Sequence, residues 1–203
     1  NIVNEGTLTN YGSKPGGPNF IPSGTKDNAT VTPYAAPNKA IKSTSESHTA
    51  DTGGTTASPR PIAIGEIVRY RLEFRLPEGS VDNLRLRDSL PTGLRFLDDS
   101  TAKVAFISNT AITSTTLSGV GLVAVGDETS LSSITPSFVL PDNAVSANDS
   151  TATANYTADD NDSYSSGADV FFKLGNVVNP DSDSNNEYII IEFNALVENI
   201  SGN

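Results

Sequence analysis

The amino-acid sequence predicts an all-β protein that folds as an antiparallel β-sandwich. Apolar and polar residues alternate strictly over residues 68–76, and this period of two indicates a strand with one buried face. Residues 188–197 form the most apolar segment and keep the same period, so this strand should lie at the centre of a sheet. No segment has the period of an amphipathic helix, and many short strands between Gly- and Pro-containing turns are typical of a sandwich.

The N-terminal part of the chain predicts two short strands that stand apart from the rest. They are expected at residues 7–9 and 29–32, joined by a Gly- and Pro-rich loop. A linker at 33–38 precedes a strand near residues 40–44, which begins the sandwich. We therefore expect terminal strands and linker in residues 1–36 and the sandwich body in residues 37–203.

The middle of the body predicts a series of shorter strands. Residues 77–79 form a turn after the first alternating strand, and Leu84 and Leu86 then alternate with arginines. We expect these two strands to form a hairpin-like pair whose arginine-rich face contacts solvent. Further strands are expected at residues 94–97, 103–107, 120–125, 137–140 and 170–174, and the polar segment 143–167 is expected to be a surface loop.

The composition argues against several classes of function. The 203 residues include no Cys and a single His, which leaves no disulfide, no thiolate nucleophile and no Cys-based metal site. We therefore expect a non-enzymatic protein. The formal net charge of −11 argues against a nucleic-acid partner, because binding to phosphates requires a basic surface. No apolar run is long enough to span a membrane.

Charges are distributed unevenly along the chain. Residues 60–95 contain seven arginines, whereas residues 142–192 contain ten acidic residues and one lysine. Complementary patches of this kind set the register between proteins and are weakened by salt. We hypothesise that the two regions meet between copies of the chain, and a solvated strand face is the alternative interpretation of the arginines.

Several turn motifs carry a family resemblance. They are IGEIVRY at residues 64–70, LPEG at 76–79, DSLPTGL at 88–94 and EFNALVEN at 192–199. With them the chain resembles the Ig-like conserved repeat domains of giant bacterial surface proteins, which are related to isopeptide-forming fimbrial domains. The resemblance implies an Ig-like β-sandwich and a structural protein that is extracellular or at the cell surface. Residues 104–167 do not match the motifs and are expected to be a long insertion.

The same resemblance implies head-to-tail association of copies. In such repeats, strands like residues 5–10 and 28–32 follow the penultimate strand, whereas here they stand at the N-terminus. The linker 33–38 reaches at most roughly 20 Å, and the poles of such a sandwich lie about 30 Å apart, so completion within one chain is disfavoured. We therefore expect the terminal strands to complete the sandwich of a preceding unit. The residues expected to make these intersubunit contacts are Thr7, Leu8, Thr9, Ala29 and Val31.

Two alternatives to a structural repeat stay open. The first is a donor-strand pilin, in which separate subunits use the same strands without a peptide bond between copies. The second is a carbohydrate-binding or adhesive module whose site lies in the insertion.

An acidic turn predicts a metal site. Asp181, Asp183 and Asn185 alternate, and Glu187 and Glu192 follow them. Oxygen ligands at this spacing suit Ca²⁺. A solvated acidic turn is the alternative interpretation.

The chain contains candidate residues for two kinds of covalent modification. The resemblance implies an isopeptide cross-link between Lys42 or Lys39 and Asn28, with Glu73 or Asp88 as the proton-shuttling carboxyl group. Ordinary surface lysines and a strand-edge asparagine are the alternative. Glycosylation is permitted rather than indicated by the sequence. Its sequons occur at Asn28, Asn148, Asn155, Asn161 and Asn199.

Overall fold

The computed structural model describes residues 37–46, 61–117, 131–149 and 162–200, and the backbone of two further strands, β1 (Ile2–Leu8) and β2 (Thr25–Val31). The chain divides into two compact units, Asn1–Ala35 and Ala36–Asn203. In the first unit, β1 and β2 pair with each other in antiparallel register, from Ile2 opposite Val31 to Leu8 opposite Thr25. The described part of this unit is therefore a two-stranded hairpin.

The second unit is built from strands that vary from two to eleven residues in length. The described strands are β3 (Asn38–Thr44), β4 (Ile67–Leu76), β5 (Gly79–Ser89), β6 (Leu94–Phe96), β7 (Lys103–Ile107), β8 (Thr113–Ser114), β9 (Phe138–Val139), β10 (Val145–Ser146), β11 (Asp169–Asn179) and β12 (Glu187–Val197). Two short 3-10 helices, Leu131–Ser133 and Asp142–Ala144, lie between them. Within the described ranges, no helix is long and apolar enough to cross a membrane.

Two antiparallel sheets enclose the core of this unit. The larger sheet has the order β3-β4-β12-β7-β9, with β6 pairing against the end of β12, and the smaller has the order β10-β11-β5, with β8 pairing against β11. Side chains of both sheets form one apolar cluster, in which Phe172 of β11 contacts Phe193 of β12 with ring centroids 5.3 Å apart. The prediction of an all-β antiparallel sandwich is confirmed, whereas its completion by a neighbouring unit stays a prediction.

Strand β12 occupies the centre of the larger sheet, as its apolar sequence predicted. It pairs with β4 on one side and with β7 and β6 on the other. Ile189, Ile191 and Phe193 are fully buried on its core side. Because neighbouring strands occupy both edges of β12 where it is paired, no further strand can pair with it there.

The predicted hairpin of β4 and β5 is wrong. The turn at residues 77–79 exists, but it carries the chain from the larger sheet to the smaller one, where β5 pairs with β11. Strand β4 pairs instead with β12 over ten residues and with β3. The two strands therefore share the core but not a ladder of hydrogen bonds.

The expectation that the arginines of β4 face solvent fails for Arg71. Its side chain is only 4% exposed, because residues 131–134 lie over this part of the sheet. Ile134 and Leu131 form a second apolar cluster there with Ile190 and Ile107. The outer face of the larger sheet is thus partly covered.

Part of the predicted insertion belongs to the sandwich itself. Strand β7 contributes Val104 and Phe106 to the core, and β9 pairs with β7. Strand β10 pairs with β11 in the other sheet. The region 104–167 therefore adds strands to both sheets.

The two ends of this sandwich lie at opposite poles. Strand β3 begins opposite Glu73, which pairs with Ile190, and it ends opposite Val68, which pairs with Ala195. Strand β12 runs parallel to β3 and ends at Val197. The start of β3 and the end of β12 therefore lie roughly 20–25 Å apart along the strand direction.

Candidate functional site

Two edge strands border an open groove on one side of the sandwich. Among the described strands, β3 ends the larger sheet and β5 ends the smaller one. A cavity of about 160 Å³ lies between them. Its lining residues are Pro37, Lys39, Leu72, Phe74, Leu86, Arg87 and Asp88. Because Leu72 and Phe74 belong to the core, the groove leads directly to the interior of the sandwich.

Strand β5 is unusually exposed for an eleven-residue strand. Only Asp88 is fully buried on it, while Leu84 and Leu86 pack against the core and remain partly accessible. In the described chain, β5 pairs with β11 along one edge and with no strand along the other. An edge of this kind is a template for a further strand, because its outward N–H and C=O groups are unpaired with protein. An added strand would also cover Leu84 and Leu86.

A lysine and a carboxylate connect the two edge strands across this groove. The Lys39 ammonium lies 2.8 and 2.7 Å from the two carboxylate oxygens of Asp88, and 4.4 Å from the centre of the Tyr70 ring. The Asp88 side chain is 8% exposed and that of Lys39 is 31% exposed. Burial raises the pKa of Tyr70, and the negative charge of Asp88 adds to the effect. The groove therefore holds a charged pair beside an aromatic ring.

Only some of the predicted cross-link residues come together here. Lys39 and Asp88 lie in the groove, whereas Lys42 donates a hydrogen bond to the Ser132 carbonyl on the outer face of the sheet. Glu73 also lies on that outer face, where it accepts a hydrogen bond from Asn38 and pairs with Arg71. The geometry favours Lys39 over Lys42 and Asp88 over Glu73.

The residues predicted to pair between subunits lie in the first unit. Thr7 and Leu8 belong to β1, and Ala29 and Val31 belong to β2. Asn28 of the predicted cross-link stands in β2 opposite Glu5. Thr9 lies outside the described residues. Strands β1 and β2 pair with each other within this unit.

The acidic turn before β12 assembles a different set of residues than the sequence predicted. Carboxylate oxygens of Asp181, Asp183 and Glu187 lie within 4.8 Å of one another. Asn185 donates its backbone N–H and its side-chain amide to Asp183, so its amide nitrogen faces the cluster. Glu187 takes the place that the sequence gave to Asn185.

Hydrogen bonds lower the pKa of Asp181, whereas burial raises the pKa of Glu187. Asp181 accepts bonds from the Ser108 hydroxyl at 2.8 Å and from the Asn109 N–H at 3.1 Å, and the Ser108 bond lowers its pKa most. Burial raises the pKa of Glu187 most, and the charges of Asp181 and Asp183 raise it further, although Asn179 donates a bond to it. The turn therefore holds a repelled carboxylate at Glu187.

We expect Glu187→Gln to raise the melting temperature by a few degrees at pH 7. A carboxyl group whose pKa is raised on folding binds its proton more tightly in the folded state, so its ionised form destabilises the fold above that pKa. The gain should shrink as the pH falls through the raised pKa toward the ordinary range of a glutamate. Calorimetry at a series of pH values measures this, with Glu198→Gln, which changes the partner of Arg95 in a pair that is about one-third exposed, as the control. A variant that melts below the wild type at pH 7 would contradict the assignment.

The same variant tests the calcium hypothesis. A bound Ca²⁺ would offset the repulsion at Glu187, so millimolar Ca²⁺ should raise the melting temperature of the wild type above its value in chelator. Glu187→Gln should show a smaller rise. Identical wild-type curves in Ca²⁺ and in chelator would reject calcium binding at this turn.

Residues of the arginine-rich region 60–95 and of the acidic region 142–192 form ion pairs with each other within one chain. Arg69 and Arg71 pair with Glu192, because β4 and β12 are neighbours in the larger sheet. Arg87 pairs with Asp169, because β5 and β11 are neighbours in the smaller one. These residues are already neutralised, which leaves less charge for the hypothesised contact between copies.

The described sequons lie on the surface. Asn148 and Asn199 are exposed. Asn155 and Asn161 lie outside the described residues, and Asn28 lies in β2. Glycosylation stays a permitted modification.

Comparison with known proteins gives no relative: no protein-family model, no curated protein and no solved structure matches this chain. The resemblance to Ig-like surface repeats therefore rests on the sequence motifs alone, and membership of that family stays a prediction.

Proposed function

We propose that this chain is a non-enzymatic structural unit of an extracellular filament or cell-surface stalk. Copies join head-to-tail when the β1–β2 hairpin of one copy pairs with the outer edge of β5 on the preceding copy. The observation that carries this proposal is the groove beside β5, where Leu84 and Leu86 are partly accessible and the core residues Leu72 and Phe74 form the floor. A strand added there covers apolar surface and uses unpaired backbone groups at the same time.

The hairpin supports the proposal from the other side of the contact. A two-stranded hairpin is only marginally stable in water by itself, and it gains stability when a sheet or a third strand covers one face. Strands β1 and β2 pair over seven residues each, which is long enough to follow most of β5. Docking would therefore give the hairpin a sheet to pair with and would give the β5 edge a further strand.

A covalent link between copies is compatible with the same groove. The cross-link requires a hairpin docked along β5 in the register that brings Asn28 to Lys39 and Asp88, which already lie together in the groove. Attack of the Lys39 amine on the Asn28 carboxamide carbon forms an amide and releases ammonia, while Asp88 takes up and returns the proton. Such a bond would preserve multimers in denaturing gels. A peptide bond between repeats would preserve them too, whereas a pilin of separate subunits without the cross-link would dissociate to monomers. Lys39→Arg distinguishes the first two cases, because it would abolish only the isopeptide-linked multimers.

Competition by the isolated hairpin tests the proposal. A peptide of residues 1–35, added in excess during assembly, should occupy the β5 edge and shorten the filaments seen by negative-stain electron microscopy. A peptide of the same composition in scrambled order is the control. If both peptides leave the filament length unchanged, or if the chain forms no multimers at any concentration, the proposal is rejected.

A further inference from the structure

A polar cleft on the outer face of the larger sheet lies apart from the β5 groove. It has a volume of about 650 Å³. The lining residues are Ser43, Thr44, Ser45, Ile67, Arg69, Ser100, Thr101, Lys103, Thr135, Pro136, Glu192 and Asn194. Its size is within the range of small-molecule sites, which is roughly 300–1,000 Å³.

The floor of the cleft is a fixed network of polar side chains. Arg69 donates to Glu192 at 2.9 Å and to the side-chain oxygen of Asn194 at 3.1 Å. Asn194 in turn donates to the Thr101 hydroxyl at 2.8 Å and to Asp99 at 3.0 Å. Because each of these groups is held by another, the floor keeps its shape before any ligand arrives.

The rim of the cleft carries polar groups that are not used within the described part of the chain. There, the Lys103 ammonium and the hydroxyls of Ser43, Ser100 and Thr135 make no hydrogen bond or ion pair. Ser100 has a backbone φ of +58°, which lies in the left-handed region that residues other than glycine rarely adopt. Strained residues of this kind cluster at ligand sites, where the surrounding structure maintains them.

One cation of the cleft has no partner within the described part of the chain. Arg69 is paired with Glu192, which is buried and also pairs with Arg71. Asp99 adds a second carboxylate beside the floor, where it accepts a hydrogen bond from Asn194. Lys103 lies at the rim without such a partner, so it is the group to which an anion would bind.

We propose that this cleft binds an acidic saccharide through its uronate carboxylate. Lys103 would pair with the carboxylate, and the serine and threonine hydroxyls of the rim would bond the sugar hydroxyls. No aromatic side chain is among the lining residues, so charge and hydroxyl contacts rather than stacking on a ring would decide recognition. This site is independent of the strand contact and gives a filament unit the means to hold an acidic polysaccharide.

Tetragalacturonate is the probe, and neutral maltotetraose is its matched control. In two-dimensional NMR spectra of the full chain, tetragalacturonate should shift the amide signals of Ser100, Thr101 and Lys103. In calorimetry, Lys103→Gln should weaken this binding about tenfold, and Arg85→Gln, on the other sheet, should leave it unchanged. Salt at about 0.5 M should weaken the wild-type complex.

The shift map of the wild type keeps the test decisive even if Lys103→Gln folds poorly. The proposal is overturned if tetragalacturonate shifts no cleft signal at millimolar concentration, or if maltotetraose binds equally well. It is also overturned if a folded Lys103→Gln variant binds tetragalacturonate as the wild type does.

Discussion

Leu86→Asp is expected to abolish head-to-tail assembly while the sandwich stays folded. Leu86 lines the groove beside β5 and is only partly buried in the isolated unit, so the change costs the fold less than it costs the docked contact. A docked strand would bury the new carboxylate on the same side of β5 as Asp88. The free-energy cost of burying an unpaired charge is far larger than the free energy gained by covering the apolar surface. Sedimentation velocity and electron microscopy should then show monomers of the variant and filaments of the wild type.

Val178→Asp is the matched control for this experiment. Val178 is a 40% exposed apolar residue of β11, which already has strands on both sides in its part of the sheet. This variant should assemble as the wild type does. Filaments of normal length with Leu86→Asp would show that β5 is not the acceptor, and loss of assembly in both variants would indicate a general effect of charge.

Glu192→Ala should cause the largest loss of stability of any single change discussed here. Glu192 is 2% exposed and pairs with Arg71, whose side chain is equally enclosed, at 2.6 Å. Removing the carboxylate leaves Arg71 buried with only the carbonyls of Leu131 and Ile134 and a longer contact to Glu73. Breaking a buried pair in this way costs about 3–5 kcal/mol. The melting temperature should fall by roughly 6–20 °C, since about 2–4 °C corresponds to 1 kcal/mol in a chain of this size.

Two comparisons separate the loss of this pair from a general loss of charge. Glu198→Ala removes the partner of Arg95 in a pair that is about one-third exposed, and it should cost only about 0–1 kcal/mol. The double change Arg71→Met with Glu192→Leu removes both charges and should recover most of the stability lost by Glu192→Ala. An unfolding free energy of Glu192→Ala within 1 kcal/mol of the wild type would contradict the burial of the pair.

The strands with the clearest alternation could be predicted from the sequence, because burial on one face acts on each residue locally. Strands β4 and β12 lie where residues 68–76 and 188–197 predicted them, with the expected side toward the core. The partner of β5 could not be predicted in this way. Pairing depends on where the chain goes after the turn at residues 77–79, and a period of two is the same in either sheet.

The position of Arg71 shows a second limit of the pattern. Alternation assigns it correctly to the face opposite the core, but it does not reveal that residues 131–134, sixty positions later, cover that face. The same holds for the choice between Lys39 and Lys42. The register of β3 with β4 places Lys39 opposite Leu72, whereas Lys42, three positions later, points to the outer face, where it contacts Ser132. The acidic turn was predicted from its spacing, whereas the contribution of Glu187 depends on the fold of the turn.

The opposite poles of β3 and β12 determine how the sandwich carries tension. A pull on Asn38 and Val197 acts along the strands, and β4 lies between the two loaded strands as their common neighbour. The backbone hydrogen bonds of an antiparallel pair are perpendicular to the strands, so this force loads all of them together in shear instead of opening them one after another. Ten residue pairs join β4 to β12. A filament built from such units would resist stretching up to a threshold force, and each unit would then yield in a single step.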